Sequence, residues 1–352
     1  MTALPSTSIE TGPITSARLT ASDKARIKLL FVAKHALSDG TPDSQDGDHA
    51  VYHCHVRDTL RALGFDLTIA NSPDILFEKP DVDFVFSLLN RAGFLNSEML
   101  MPLLCERHGL PYLGASPILR GVSDDKHLMK MVARQAGIAT ADWALIRRFQ
   151  PHLLPQGFPT DNLIVKPNAS SGSWGVRHVQ NADELWEHVE KLHEEGHDAI
   201  IEPFLEGIDL ELPVIAGPSE QLLPLMRFNY DPNAVRYYEE KRGLTSSDAK
   251  LEQETDPAII AKVHRMTAPL IEELSPFDYG RFEFRLNTRT GDISFIEVNL
   301  QCNIWQPRVI GTSARIAGLE YPELLETILA YSMLRCGVVD RVETVEARPI
   351  AA

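Results

Sequence analysis

Lys166 closes the apolar run LIVKP (163–167) and is followed at once by a loop of small residues, NASSGSWG (168–175). Small side chains let a backbone come close to a ligand, successive N–H groups of such a loop form an anion-binding nest, and a lysine adds a point charge. Phosphate is the guest this chemistry suits. A flexible hairpin with Lys166 on a solvated edge has the same residues. Because VRHVQ (176–180) resumes a strand-like pattern, the loop joins two strands and opens no helix, so it is not a GxxxxGK[ST] phosphate loop.

A second cluster lies in GRFEFRL (280–286), the turn NTRTGD, and ISFIEVNL (293–300), which read as a hairpin with period-two alternation. Phe282, Phe284 and Leu286 share one face of the first strand and Arg281, Glu283 and Arg285 the other. On the second strand Ile296, Val298 and Leu300 alternate against Phe295, Glu297 and Asn299. Packing both apolar faces on a core makes Glu283, Glu297 and Asn299 project together beside Arg281. Two carboxylates and an amide oxygen are hard ligands that suit Mg²⁺, or Mn²⁺, sharing its shell with phosphate oxygens and water. A salt-bridged polar face, with Arg281 and Arg285 neutralising the glutamates, explains the same pattern. So does an acid and nucleophile pair for glycoside hydrolysis, which leaves the Lys166 loop without a role.

The elements that must position these groups begin near Arg26. IKLLFVA, FDLTIA and DFVFSLL read as strands, with helices over Val51–Leu63 and SEMLMPLLCERHG, so residues 25–121 form an open α/β domain with a parallel sheet. Its first strand-to-helix connection (33–50) holds no GxGxxG, which argues against a dinucleotide site. A second unit, 122–206, starts with a helix capped by Ser123 and stopped by Gly137, whose Leu128, Met129, Met131 and Val132 are core. It then carries the lysine strand and its loop, a helix opened by Asn181 and Glu184 at capping-box spacing, and the strand DAIIEPFLEG. A third unit, 207–335, holds a polar segment (229–250), a helix over Asp256–Leu274, the acidic hairpin and a last helix. Residues 1–24 and 336–352 read as tails. The fold class is α/β, α+β in the C-terminal half.

Composition narrows the partners. Among 352 residues, Lys+Arg 34 against Asp+Glu 49 give a net charge of -15, a field that repels nucleic acid and anionic membranes. No run approaches the ~18–20 apolar residues of a membrane span. Cys54, Cys105, Cys302 and Cys336 are scattered without CxxC spacing, so neither zinc nor a disulfide framework is indicated and a reducing cytoplasm is expected. His53 and His55, two apart on a predicted helix, point to different faces and cannot share a metal.

Taken in order, Lys126, the VKP lysine with its Gly/Ser loop, the acidic strand end IIEPFLEGIDLEL (200–212) and the FEF…FIEVN hairpin resemble the ATP-grasp superfamily, and within it the D-alanine:D-alanine ligases. The resemblance spans about residues 26–335. It implies an N-terminal open α/β domain, a central lid domain and a C-terminal mixed-sheet domain, with ATP and Mg²⁺ between the last two. By it, Lys126 and Lys166 contact the ATP phosphates under a loop that includes Ser170, Ser171, Gly172, Ser173 and Gly175. Glu202, Phe204 and Leu205 line the adenine pocket, and Asp209 meets the ribose. Glu283, Glu297 and Asn299 match the metal ligands and Arg281 the residue that steadies the reacting oxyanion. Lys241 is the first candidate for a lid lysine on the terminal phosphate, with Arg242 or Arg236 as substitutes. The reaction implied phosphorylates a carboxylate to an acyl phosphate that an amine attacks, releasing ADP and phosphate. A homodimer is implied on the same ground.

Two departures bear on the substrates. The family's metal-binding Asn is followed by a small residue and then Pro-Gly, whereas this chain continues Leu300-Gln-Cys-Asn-Ile-Trp305. Where a His-Gly motif and an acidic Gly-rich stretch belong, it has LLNRAGFLNSEM (88–99), and SDGTPDSQDGDH (38–49) offers no clear match for a glutamate expected near the first strand. A carboxylate and amine other than two D-alanines are therefore expected. Gln301, Asn303, Trp305 and Arg308 are candidate substrate contacts, although a structural Trp305 fits as well. Cys302, with nothing beside it to activate a thiol, reads as a small lining residue.

Overall fold

The computed structural model describes residues 13–42, 46–91, 93–236 and 249–348. Strand β1 (Thr15–Arg18) is followed by a three-stranded parallel sheet in which β2 (Lys28–Val32) lies between β3 (Asp66–Ala70) and β4 (Phe84–Ser87). β2 is apolar from Leu29 to Val32 because both faces are covered there. Leu29 and Phe31 pack with Phe84 and Phe86, while Leu30 and Val32 pack with Val85 and Met101.

A second sheet has the order β5 (Ala144–Ile146), β8 (Ala199–Pro203), β6 (Leu163–Pro167), β7 (Arg177–Val179), all antiparallel, with the helix Ala182–Glu194 on one face. Asn181 caps that helix by accepting from Glu184 N, as its spacing predicts. The third sheet runs β12 (Lys250–Gln253), β11 (Met226–Asn229), β9 (Ile208–Ile215), β13 (Tyr279–Leu286), β14 (Ile293–Asn299), with β10 (Gln221–Leu222) on β9. Its apolar face packs against the helix Pro257–Leu274, capped by Asp256, and the helix Lys126–Gln135. Between β8 and β9, Gly207 has φ +142°, and a Cβ there would stand 2.1 Å from the Leu286 carbonyl, so only glycine lets the two sheets join at this hinge.

Four expectations change. Residues 13–24 and 336–348 are not loose: β1 pairs antiparallel with β15 (Glu343–Glu346), and Ala17 N–H donates to Thr327 on the helix Tyr321–Arg335. These strands are short and polar, and their apolar contacts, through Ala17 and Leu19, are made with a helix some three hundred residues away. The second unit's first helix breaks in two. Ser116 caps Pro117–Asp124 and Asp125, not Ser123, caps Lys126–Gln135, because the extended Asp125 bridges to Ala169 and Lys126 N–H donates to the Asn168 carbonyl. On that helix Met129 is core while Leu128 and Met131 are exposed, and the buried face also holds Lys130. Finally, β13 and β14 slip register after Glu283: Glu283 faces Glu297, but Phe284 faces Phe295, leaving Ile296 as an extra residue. Phe295 therefore enters the core with Val298, and Ile296 turns to the polar side.

Candidate active site

The slip in register sets out the site. Beyond it, Glu283 and Glu297 stay directly opposite on neighbouring strands, and Arg281 faces Asn299 two residues away. Asn299 Oδ1 accepts from Gln301 N–H at 3.1 Å. Across the gap, β6 carries Lys166, whose Nζ is 2.8 Å from Glu202 on β8, and Lys130 reaches the same carboxylate at 3.3 Å. Burial alone would raise the Glu202 carboxyl, but Lys166 and Lys130 outweigh it and hold it below the ordinary range. Burial pulls the Lys130 ammonium down. Lys126, at the start of its helix, donates to the Ser170 carbonyl at 2.9 Å and lies 3.4 Å from Glu297, which ties the Gly/Ser loop to the acidic hairpin.

These groups enclose a cavity of about 130 Å³ lined by Lys126, Lys166, Ser170, Gly172, Ser173, Glu202, Phe204, Leu205, Asp209, Glu283 and Glu297. Apolar walls come from Ile164, Val176, Phe284 and Ile296. Gly172 and Ser173 both have positive φ, which turns the loop over the cavity. Ser171 faces the next cavity instead. Gly175 serves packing, since a Cβ there would stand 2.8 Å from Pro167. At the mouth, Asp209 pairs with Arg285 at 2.8 Å and Arg236 at 3.7 Å, while Arg236 lies over the Phe228 ring. Arg285 thus serves Asp209 and the Leu205 carbonyl and does not neutralise Glu297.

Arg281 separates this cavity from one of about 540 Å³ between the parallel sheet's connections and the third sheet. Its Nε is 2.8 Å from Glu211 on β9 and one terminal nitrogen 2.5 Å from Glu283. Burial would lower its pKa, but Glu211 and Glu283 raise it, so the guanidinium is a permanent charge. The larger cavity is walled by Lys34, His49, Arg91, Asn299, Gln301, Asn303 and Arg308 among others. Gln301 is spent on the N-terminal unit, its Nε2 donating to the Ser87 carbonyl at 2.6 Å. Asn303 accepts from Trp305 N–H, and Arg308 pairs with Asp48 at 2.6 Å. Trp305 is not in the lining: its indole N–H donates to His55 and its ring packs by Tyr52, a structural post between the two units. Burial pushes the Cys302 thiol up to about 12, which keeps it protonated.

A third cavity, about 1170 Å³ and larger than the other two, is lined in part by Phe204 and Leu205 but by neither phosphate-candidate lysine nor any candidate metal donor. Its size alone does not mark it as the active site. Lys241 and Arg242 lie outside the described residues, and of the three lid candidates Arg236 is the one seen facing both smaller cavities. Sequence reasoning missed Lys130, Ile296 and Glu211. The first two sit in apolar patterns that read as core. The third was in a quoted strand whose neighbour could not be known.

Two sheets closing on a lysine-lined cavity, with a small-residue loop as cover and paired glutamates opposite, define an ATP-grasp ligase, an enzyme that uses ATP to form a C–N bond. Residues 132–330 match the family described as D-ala D-ala ligase C-terminus, and the chain belongs to that family. A D-alanine--D-alanine ligase of Bacillus anthracis is 25% identical over 271 residues, covering 76% of this chain and 85% of the relative. A crystal structure of the B. anthracis enzyme complexed with ATP superposes with TM-score 0.70 at 21% identity, over 88% of this chain and 99% of that one. The VanG D-Ala:D-Ser ligase from Enterococcus faecalis gives 0.66 at 15% identity, over 87% and 99%. Among the described residues no helix is long and apolar enough to cross a membrane.

Proposed function

We propose that this ATP-dependent ligase joins a carboxylate to an amine through an acyl phosphate, on a pair other than two D-alanines. The observation that carries the reading is the cavity beyond Arg281. At about 540 Å³ it falls in the range of pockets for drug-sized ligands, and part of its wall, Gln301, Cys302 and Asn303, belongs to the segment Leu300–Trp305 that stands where the family has its Pro-Gly turn. The relatives named above as D-alanine--D-alanine ligases supply the class of reaction and not the substrates.

In this reading ATP binds at the smaller cavity once the Gly/Ser loop has lifted. Lys126 and Lys166 meet phosphate oxygens, Ser170, Gly172 and Ser173 cover them, Phe204, Leu205 and Ile296 take the base, and Asp209 takes the ribose. Glu202 acts by holding Lys166 and Lys130. Arg236 is the described cation best set for the terminal phosphate, with Lys241 a second candidate. Glu283, Glu297 and Asn299 suit Mg²⁺ or Mn²⁺, since the donors are two directly opposed carboxylates and, two residues on from Glu297, an amide oxygen. The metal, when bound, neutralises charge on the transferred phosphate. A carboxylate is a poor acyl donor, so phosphorylation makes it reactive. Arg281, fixed between Glu211 and Glu283, offers its charge to the oxyanion that forms when the amine attacks. A closed cover keeps water from the acyl phosphate. The cavity at Lys166 is smaller than ligand pockets usually are, so ATP entry requires the Gly/Ser loop to lift. In domain terms, residues 25–121 read substrates, 122–206 form the lid and 207–335 carry the chemistry.

The test is mass spectrometry of the protein with Mg-ATP and mixed carboxylates and amines, D-alanine included, reading ADP, AMP and condensed product together. A condensed product with ADP supports the reading and names the pair. D-alanyl-D-alanine as the main product overturns the substrate assignment, and AMP overturns the acyl phosphate.

A further inference from the structure

The register of the third sheet sets three carboxylates abreast: Glu211 on β9 faces Glu283 on β13, which faces Glu297 on β14. Like charges directly opposite on neighbouring strands destabilise a sheet unless cations lie among them. Here Lys126 lies by Glu297, and Arg281 straddles Glu283 and Glu211. The row has a direction. Glu297 and Glu283 line the cavity that holds Lys166, whereas Glu211 lines only the larger one beyond Arg281. Glu211 is also within 3.8 Å of Arg236, the cation that reaches both cavities.

Glu283 therefore has two claimants, Arg281 and the metal assigned to it above. A divalent cation that takes the Glu283 oxygens leaves Arg281 in need of another partner, and one is already in place at 2.8 Å. From this geometry we infer that Glu211 is the positioning residue for Arg281: it holds the guanidinium at the junction of the two cavities while Glu283 serves the metal. Without it, the whole charge of Arg281 falls on Glu283 and competes with the cation. The inference rests on the metal assignment, and the experiment separates the two.

Mn²⁺ is titrated into the folded protein saturated with a non-hydrolysable ATP analogue, its binding read by water proton relaxation, so no carboxylate or amine substrate is needed. Glu211→Gln is expected to weaken Mn²⁺ binding roughly three- to tenfold, in the lower part of the range of couplings between contacting residues. In the Arg281→Ala background the same substitution is expected to change nothing, because the competitor is gone. A weakening that persists at equal size in that background is simple loss of a nearby negative charge and overturns the proposal. Glu211→Asp keeps the charge for folding but withdraws it from Arg281, and is expected to give a smaller weakening in the same direction. Wild-type affinity in both Glu211 variants also overturns the proposal. Glu297→Gln is the control: if it binds Mn²⁺ as tightly as wild type, the metal assignment itself fails.

Discussion

On one side of Arg281 the cavity at Lys166 is built from charge pairs already closed on one another: Lys166 and Lys130 on Glu202, Lys126 on Glu297, Arg285 on Asp209. On the other side the larger cavity is assembled from stretches near residues 34–53, 88–91 and 299–309, and its polar groups mostly tie units together. In the proposed reading the first region is a fixed set of charges that serves the nucleotide whatever the substrate pair. The second is a surface made by docking, where one segment can be exchanged without disturbing the chemistry. On that reading, the difference accounts for a chain that keeps the proposed nucleotide motifs while departing from its family at Leu300–Trp305.

Substitutions on the two sides should separate accordingly. Lys166→Ala and Glu297→Ala are expected to lower ADP formation by at least about a hundredfold with every substrate pair, the scale of losing one preorganised charge in a closed site. Wild-type-like turnover by the Glu297 variant would erase the distinction between the regions. Next in size, Glu202→Gln leaves two buried lysines without their counter-charge and should cost about 3–5 kcal/mol near neutral pH, measured by denaturant unfolding. The sign of its pH dependence follows from the depressed carboxyl. Its contribution is present above the unfolded value of 4.5 and is lost as pH falls through the lower folded value, so the gap between wild type and variant narrows in acid.

Asn303→Ala and Arg308→Ala, on the other side, should raise KM for the carboxylate or amine roughly tenfold and leave KM for ATP unchanged, the signature of lost uniform binding. A parallel rise in KM for ATP would show the two cavities to be one. The smallest effect is expected of Cys302→Ala, which should bind ATP as wild type does. Iodoacetamide at neutral pH should leave Cys302 unmodified in the folded protein, as a buried thiol at about 12 requires.

Period-two alternation made the acidic hairpin legible, because Phe282 and Phe284 must go one way and Glu283 the other wherever a strand packs on a core. The same local logic found the Lys166 loop, the cap at Asn181, a helix over Asp256–Leu274, and the apolar runs of the parallel sheet. Side-chain chemistry and short-range periodicity suffice for such features, and they were enough to mark the phosphate and metal candidates. What local reasoning could not see was where strands slip and which strands become neighbours. One extra residue in β14 moved Phe295 into the core and Ile296 to the site. The pairing of β9 with β13 brought Glu211 against Arg281, although some seventy residues separate them. The final pairing of β1 with β15 turned two apparent tails into a sheet. Each of these depends on contacts between distant segments, whose energies are set by packing in the finished fold and leave no periodic mark in the chain.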